Sequence, residues 1–206
     1  MFITLEGVDG SGKTSHIPHL VEYLREKNYK VYPAREPGGT PIGERIRKVV
    51  LDLRNADMNL RTETLLFLAA RAQFVENVIK PHLTAGEIVI SDRFADSTIA
   101  YQGYGHQQSL DAISILVKYA KNGLEPDLTL LLNLDAEIGL KRKTVTDEWN
   151  RMDAYTLDFH RRVQNGYLRL AESNPGRWVV IDASQNWEDV QKNLRNEILK
   201  RINNQD

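Results

Sequence analysis

The fold of this chain is most constrained by one stretch near its N-terminus, from Phe2 to Thr14. An apolar run of strand length ends at Gly7, and the pattern G-x-x-x-x-G-K-[ST] extends from Gly7 to Thr14. Glycines at both ends of the loop allow a turn tight enough for successive backbone N–H groups to point at an anion. A helical pattern begins directly afterwards and adds the positive end of its dipole. The stretch therefore predicts a phosphate-binding loop between a strand and a helix.

Two side chains of this loop have the chemistry that a nucleotide triphosphate requires. Lys13 can reach the β- and γ-phosphates, and the hydroxyl of Thr14 can bind Mg²⁺. A chance glycine-rich turn is the alternative, but four fixed positions recur by chance in fewer than about one in a hundred chains of this length. The residues of the loop that we expect to bind the nucleotide triphosphate are Gly7, Val8, Asp9, Gly10, Ser11, Gly12, Lys13 and Thr14.

The composition limits the classes of protein to which the chain can belong. Its 206 residues suit one α/β domain with a full core, so we expect a single domain over residues 1–206. The formal net charge of −1 provides no basic field that would attract nucleic acid. The chain has no cysteine, and no apolar run approaches the length that spans a membrane. Because a strand begins at once, without a signal sequence, we expect a cytoplasmic enzyme.

Apolar runs of strand length alternate with helical periodicity along the whole chain. The predicted strands are Phe2–Glu6, Lys30–Ala34, Glu87–Ser91, Leu128–Leu134 and Trp178–Ile181. The predicted helices are Lys13–Lys27, a helix after Pro41 that ends near Leu53, Leu60–Leu83 with Thr62 as its cap, Leu110–Asn122, Ala154–Glu172 and Asn186–Ile202. Crossover helices between consecutive strands predict an α/β fold of the P-loop NTPase type, with three layers, α/β/α, around a five-stranded parallel sheet.

Charged residues follow the predicted strands at the points where the strands end. Asp9, Arg35, Glu36, Asp92 and Arg93 all fall there. Because ligands of open parallel sheets bind beyond the C-terminal ends of the strands, we expect these residues near the nucleotide. Asp92 follows the apolar run of a predicted strand, as the acidic residue of a Walker B strand does. Such a carboxylate holds Mg²⁺ directly or through water. A cap for the next helix is the alternative role for Asp92.

Arg71 lies in a helical segment that is otherwise almost wholly apolar, four residues after Phe67 and on the same face. A guanidinium that is partly buried in such a segment needs a hydrogen-bonding partner. A ligand would provide one, so Arg71 is a candidate for substrate binding. Arg35 and Arg47 are either ordinary surface charges or ligands of a phosphate.

These segments together resemble the bacterial-type thymidylate kinases, over essentially the whole chain. The P-loop alone indicates only a triphosphate site, whereas the segments Arg35–Thr40, Asp92–Phe94 and Asp96–Gly103 are far more specific. The family transfers the γ-phosphate of ATP to dTMP and gives dTDP and ADP. The resemblance therefore implies ATP and dTMP as substrates, Mg²⁺ as cofactor and a homodimer as the assembly.

The resemblance also implies roles for individual residues. Phe67 would stack on thymine, Arg71 and Gln102 would hydrogen-bond the base, and Tyr101 would fill the space of a ribose 2′-OH. Asp9 would lie near the sugar 3′-OH and the acceptor phosphate. The other residues expected to bind the substrate are Arg35, Glu36, Pro37, Arg47, Arg93 and Ser97, of which the three arginines would hold the dTMP phosphate. The expected metal ligands are Thr14 and Asp92, and the expected catalytic residues are Lys13, Arg93, Arg151 and Asp9.

The family divides by the location of the arginine that neutralises charge in the transition state. Some members carry it in the P-loop, at the position of Gly10 here, and the others use basic residues of a mobile lid. We therefore expect a lid at about 141–153, with Arg142 near ATP. Arg151 is the expected catalytic arginine, because its segment resembles the family's Asp-Arg-hydrophobic-acid sequence, although Asn150 replaces the usual aspartate.

The reaction itself needs no general base, because the attacking oxygen of dTMP is already ionised near neutral pH. The five histidines lack metal-ligand spacing, and we assign them no catalytic role. Two other classes of protein stay open at this point. One is a kinase for a different nucleotide, and the other is a GTP-binding switch protein. The second would need an N-K-x-D segment after a strand, which the stretch Asn133–Ala136 does not provide.

Overall fold

Five parallel strands form the centre of the fold in the computed structural model, which describes residues 1–145 and 149–204. The strands are β1 (Phe2–Glu6), β2 (Val31–Arg35), β3 (Ile88–Asp92), β4 (Leu128–Asn133) and β5 (Trp178–Asp182). Their order in the sheet is β2-β3-β1-β4-β5, and every neighbouring pair is parallel. The predicted fold class is confirmed.

Helices connect the strands and flank the sheet. They are α1 (Lys13–Glu26), α2 (Pro41–Leu51), α3 (Leu60–Phe74), α4 (Lys80–Thr84), α5 (Ala95–Thr98), α6 (Leu110–Ala120), α7 (Ala136–Thr144), α8 (Leu157–Ser173) and α9 (Trp187–Asn203). A π-helical turn, Val75–Ile79, joins α3 to α4, and a second, Ile99–Gly105, continues α5. A short 3₁₀ turn, Leu53–Asn55, follows α2. In the part of the chain described here, no helix combines the length and apolar character needed to cross a membrane.

The helices differ from the sequence-based expectation in several details, among them one cap and one additional helix. The cap of α3 is Asn59 and not Thr62, because the side chain of Asn59 accepts a hydrogen bond from the backbone N–H of Arg61. Helix α7 is not predicted, since its charged sequence has little apolar periodicity. Asp135 begins this helix by accepting hydrogen bonds from the backbone of Glu137 and Ile138. It therefore acts as a cap.

Apolar side chains are buried on both faces of the sheet. On β1, Ile3 and Leu5 belong to a cluster that includes residues of α1 and α9, whereas Phe2, which points to the opposite face, belongs to a second cluster with residues of α3 and α6. Phe2 meets Phe94 edge to face there, with ring centroids 4.9 Å apart. Burial on both faces explains why the strands read as continuous apolar runs.

The register of the sheet places the ends of its central strands side by side. Leu5 of β1 pairs with Asp92 of β3, and Asp92 pairs in turn with Arg35 of β2. The loop that follows β1 therefore lies beside the carboxyl ends of β2 and β3. This edge holds the candidate site.

Candidate active site

The phosphate-binding loop, residues 7–14, links β1 to α1 through backbone conformations that favour glycine. Gly7, Gly10 and Gly12 have φ angles of 146°, 75° and 95°. At Gly10 there is a second constraint, since a Cβ atom would lie 2.1 Å from the carbonyl oxygen of Gly139 in α7. Because the backbones pack so closely, the arginine that some thymidylate kinases carry at this position has no space here.

Lys13 folds back over the loop and is almost fully buried. Its Nζ donates to the carbonyl oxygens of Gly7 (3.0 Å) and Val8 (2.9 Å) and to Oγ of Ser11 (3.2 Å). Burial, together with the nearby charge of Arg93, lowers the pKa of Lys13 to about 8. The ammonium group is thus still largely protonated at neutral pH, and it lies beside the N-terminus of α1.

Thr14 joins the loop to the end of β3. Its hydroxyl donates to Oδ2 of Asp92 over 2.6 Å. Asp92 does not cap the following helix, whose N-cap position is Phe94. A hydroxyl and a carboxylate oxygen in contact are hard donors of the kind that Mg²⁺ prefers.

Asp9, Arg93 and Tyr101 form a charged cluster next to the loop. Oδ1 of Asp9 lies 2.8 Å from Nη2 of Arg93, and its Oδ2 accepts a hydrogen bond of 2.6 Å from the Tyr101 hydroxyl. Burial alone would raise the pKa of Asp9, but the charges of Arg93 and Lys13 and the Tyr101 hydroxyl outweigh it and hold that pKa well below its usual range. Asp9 is therefore ionised and accepts hydrogen bonds, and it does not act as a proton donor.

The guanidinium of Arg93 is fixed on several sides. Its Nη1 donates to the carbonyl oxygen of Gly7, to Oγ of Ser97 and to the hydroxyl of Tyr167. The group also lies over the ring of Tyr101, 4.9 Å from the centroid. Arg93 itself has a left-handed backbone (φ 70°), so its side chain leaves the strand end at a defined angle.

Two further arginines lie on the same cleft. Nη2 of Arg35 pairs with Glu44 over 3.1 Å near the surface, and Nη1 of Arg47 donates to the carbonyl oxygen of Pro37 over 2.9 Å. Burial and the neighbouring positive charge of Arg35 lower the pKa of Arg47, and Arg93 acts in the same direction. Three cations that repel one another form a site that an anion would stabilise.

Arg71 is almost fully buried and takes its partners from the protein. It pairs with Glu36 through Nε (2.8 Å), donates to Oγ1 of Thr98 through Nη1 (2.7 Å) and to the carbonyl oxygen of Phe94 through Nη2 (3.0 Å). The protein itself therefore supplies the hydrogen-bonding partners that this guanidinium requires, and the contact of Arg71 with a ligand stays a prediction. The three contacts instead hold its plane fixed at the wall of the cleft.

One cleft of about 650 Å³ brings these groups together. Its wall contains residues of the phosphate-binding loop, the three arginines, Arg71 and the aromatic ring of Phe67. The other candidate residues that line it are Glu36, Pro37, Asp92, Ser97, Tyr101, Gln102 and Arg142. Val8 and Ser11 accept hydrogen bonds from Lys13 within the loop and do not line the cleft.

Comparison with known proteins agrees with this arrangement. The sequence profile of the family described as "Thymidylate kinase" matches residues 5–194. A protein named "Thymidylate kinase" from Oenococcus oeni is 49% identical over 192 residues, which cover 92% of this chain and 90% of the relative. The chain belongs to the thymidylate kinase family. Proteins with the same name from Roseiflexus castenholzii (46% identical, 94% of this chain and 90% of the relative) and Geotalea daltonii (44%, 98% of each) are also similar.

The two basic residues that the thymidylate kinase resemblance singles out in the lid are placed differently. Arg142 lines the cleft, and its Nη1 lies 3.4 Å from the carbonyl oxygen of Gly10 in the phosphate-binding loop. Arg151 is not brought to the cleft. It is 3% exposed, and its guanidinium contacts Glu63 (2.7 Å) and the carbonyl oxygen of Val50 (2.7 Å). Residues 146–148, within the expected lid, lie outside the described part of the chain.

Sequence reasoning missed two buried acidic residues that support the site. Glu6 accepts hydrogen bonds from the hydroxyls of Ser97 (2.6 Å) and Tyr167 (2.9 Å), which are two of the groups that accept from Arg93. Glu63 on α3 contacts Gln102, as well as Arg151. Glu6 is the last residue of β1, and its position at a strand end could have identified it as a candidate from the sequence. The partners of Glu63 are distant in sequence, so no local pattern indicates its role.

Proposed function

We propose that this member of the thymidylate kinase family transfers the γ-phosphate of ATP to dTMP and releases dTDP and ADP. The proposal rests on one observation, which is that a single cleft brings three kinds of group together. The phosphate-binding loop and the three arginines Arg35, Arg47 and Arg93 line it. The ring of Phe67 and the polar side chains of Arg71 and Gln102 line it as well. The loop supports binding of the donor triphosphate. The remaining groups support binding of an acceptor that has both a phosphate and a planar base.

The positively charged groups are suited to catalysis by positioning and charge neutralisation. Lys13 and the N-terminus of α1 would bind the donor phosphates, while Arg35, Arg47 and Arg93 would hold the acceptor phosphate. Phosphoryl transfer spreads negative charge over the moving group, and fixed cations stabilise that charge without reorganising. Asp9, which is held ionised by Arg93, would accept a hydrogen bond from the sugar 3′-OH.

The base would lie against Phe67, with Arg71 and Gln102 at its polar edge. Arg71 is held in its plane by Glu36, Thr98 and Phe94, so little conformational freedom is lost when it binds a carbonyl group. The ring of Tyr101 would fill the space that a ribose 2′-OH requires, and the hydroxyl of the same side chain donates to Asp9. Both features support a deoxypyrimidine as the acceptor.

The donor set at Thr14 and Asp92 fits Mg²⁺. Magnesium usually keeps several water ligands and takes only one or two protein oxygens together with substrate phosphates. Such a site needs no cluster of three or more acidic or histidine ligands, and the described residues contain none. When bound, the ion would neutralise charge on the donor phosphates. Thr14 and Asp92, already joined by a hydrogen bond, would hold it there.

We further propose one catalytic domain over residues 1–206, with residues 141–153 as its lid. Helix α7 supports this, because it packs backbone to backbone against Gly10 and places Arg142 next to the loop. Arg142 is therefore the residue that we propose for the lid's contact with ATP and for the catalytic charge. A cytoplasmic location is part of the same proposal.

A homodimer is the assembly that we propose, through the exposed apolar face of α6 and the adjoining α3. On α6, Ile115 is 70% and Tyr119 86% exposed, and Leu65 of α3 is 54% exposed. Apolar side chains this exposed on adjoining helices are typical of a subunit contact. Light scattering should give twice the chain mass, and Ile115→Glu should give the monomer; a monomeric parent protein would remove this proposal.

The reaction can be tested by product analysis. The protein, incubated with ATP, dTMP and Mg²⁺, should give dTDP and ADP in equal amounts, and EDTA should abolish both. Thr14→Val should raise the Mg²⁺ concentration needed for half-maximal rate, whereas Thr14→Ser, which keeps the hydroxyl, should change it little. Hydrolysis of ATP without formation of dTDP would contradict the proposed function.

A further inference from the structure

We propose that Glu63, which does not line the cleft, determines which pyrimidines the cleft accepts by fixing the orientation of the Gln102 carboxamide. This inference rests on the proposed function, because it concerns the base of the acceptor nucleotide. Gln102 lines the cleft and is 2% exposed. Its Nε2 donates to Oε1 of Glu63 over 2.8 Å.

The direction of this hydrogen bond follows from the chemistry of the two groups. An ionised carboxylate can only accept, whereas a carboxamide has a donor side and an acceptor side. Glu63 therefore binds the NH₂ side of Gln102 and leaves the carbonyl oxygen, Oε1, on the other side. No residue that the structure describes donates a hydrogen bond to that oxygen. The cleft is where a partner for it would bind.

Several donors keep Glu63 ionised although it is fully buried. His106 donates to Oε1 over 3.0 Å, Tyr155 donates to Oε2 over 2.8 Å, and Arg151 lies 2.7 Å from Oε2. Burial alone would raise the pKa of Glu63, but the hydrogen bonds of His106 and Gln102 and the charge of Arg151 lower it to about 2. At working pH the carboxylate is thus an acceptor throughout, and the Gln102 carboxamide has one stable orientation.

This orientation selects a base by its hydrogen-bonding edge. Thymine and uracil carry an N–H donor at N3, which a carbonyl oxygen accepts. Cytosine has a lone pair at N3, which would face the oxygen of Gln102 without a hydrogen between them. A buried polar group that loses its partner costs far more than a lost apolar contact. If the carboxamide turned over, its NH₂ group would instead suit cytosine, and Glu63 prevents that turn.

Glu63→Gln tests the role of the acceptor, because a second carboxamide can donate as well as accept. This change leaves the buried Arg151 without its counter-charge, so Glu63→Gln/Arg151→Met, which removes both charges, is made alongside it. The measurement is kcat/KM for dTMP, dUMP and dCMP with ATP and Mg²⁺. In variants that fold, the ratio of dCMP to dTMP should rise at least about tenfold over the parent protein.

Tyr155→Phe is the matched control, since it removes one hydrogen bond to Oε2 of Glu63 but leaves the Oε1 acceptor of Gln102. It should leave the ratio unchanged. Gln102→Met is a second test that does not depend on the stability of the Glu63 variants. It should lower kcat/KM for dTMP, and it should reduce the ratio of kcat/KM for dTMP to kcat/KM for dCMP.

An unchanged ratio in a folded Glu63 variant, or in Gln102→Met, would overturn this inference. In that case the parent protein would still phosphorylate dTMP, and the proposed function would stand. A parent protein that does not phosphorylate dTMP would instead contradict the proposed function itself.

Discussion

Arg151 and Glu63 form a buried ion pair, in which Nη2 of Arg151 lies 2.7 Å from Oε2 of Glu63 and the two side chains are 3% and 0% exposed. The same guanidinium donates to the hydroxyl of Tyr155 over 2.7 Å. In this structure the charge of Arg151 is neutralised by Glu63, and its guanidinium does not line the cleft in which the donor phosphates would bind. The pair ties the end of the lid segment to α3, next to Gln102.

Arg151→Met should therefore act mainly on stability. It leaves the buried carboxylate of Glu63 without its cation, which costs about 3–5 kcal/mol in the free energy of unfolding. Arg142→Ala should lower kcat with little change in stability, because Arg142 is exposed and lines the cleft. Urea unfolding and steady-state kinetics of both variants distinguish the two roles. A fall in kcat for Arg151→Met at unchanged stability would restore the role that the sequence suggests for Arg151.

Lys13→Ala should remove the cation that we propose for the donor phosphates. The loss of one such group from a preorganised site typically costs about 10²–10³ in kcat. Binding of dTMP, measured by calorimetry without ATP, should be nearly unchanged, because Lys13 is held at the P-loop by Gly7, Val8 and Ser11. Lys141→Ala, on an exposed side chain paired with Glu137, is the control. Near-normal turnover of Lys13→Ala would remove the assignment of the loop.

Asp153 should make stability depend on pH in the acidic range. Burial, with the nearby charge of Asp9, raises the pKa of Asp153 from 3.8 to about 6. Because its folded-state pKa is the higher one, the folded protein binds more protons between these values, and this group's contribution to stability is lost as pH rises from about 4 to 6.

Asp153→Asn keeps the shape of the side chain and removes the ionisation. Its stability relative to the parent protein should increase between pH 4 and pH 7 by roughly 1–3 kcal/mol. Urea unfolding at the two pH values measures this difference. A difference that stays constant or falls with pH would contradict the raised pKa of Asp153 in the folded protein.

Tyr101 should exclude ribonucleotides through the volume of its ring. Tyr101→Phe keeps the ring but loses the hydrogen bond of 2.6 Å to Asp9, so dTMP turnover should fall several-fold while UMP stays excluded. Tyr101→Ala should raise kcat/KM for UMP relative to dTMP. If Tyr101→Phe admits UMP as well as Tyr101→Ala does, the hydroxyl and not the ring is responsible.

Local sequence patterns predicted those parts of the fold and site that depend on neighbours in the chain. The phosphate-binding loop, the five strands and the position of Asp92 at a strand end all follow from apolar periodicity and glycine spacing. The boundaries of these elements shift by a residue or more, as at α2, which ends at Leu51 and not near Leu53.

Pairings across the fold could not be predicted in the same way. The partners of Arg71, namely Glu36, Thr98 and Phe94, come from three separate segments, so their presence is visible only after folding. The pairing of Arg151 with Glu63 has the same origin. The resemblance of its segment to a family sequence suggested a catalytic role for Arg151, but its contacts with Val50, Met152 and Tyr155 bury it.

The most direct test of the account is kcat/KM of the parent protein for dTMP, dUMP, UMP and dGMP with ATP and Mg²⁺. dTMP should be the best acceptor. dUMP, which lacks one buried methyl group, should be roughly 10- to 200-fold poorer but still active. UMP and dGMP should give little or no product, since we propose that Tyr101 excludes the 2′-OH and that the base site beside Phe67 takes a pyrimidine. A preference for dGMP, or for UMP over dTMP, would contradict the assignment of thymidylate as the substrate.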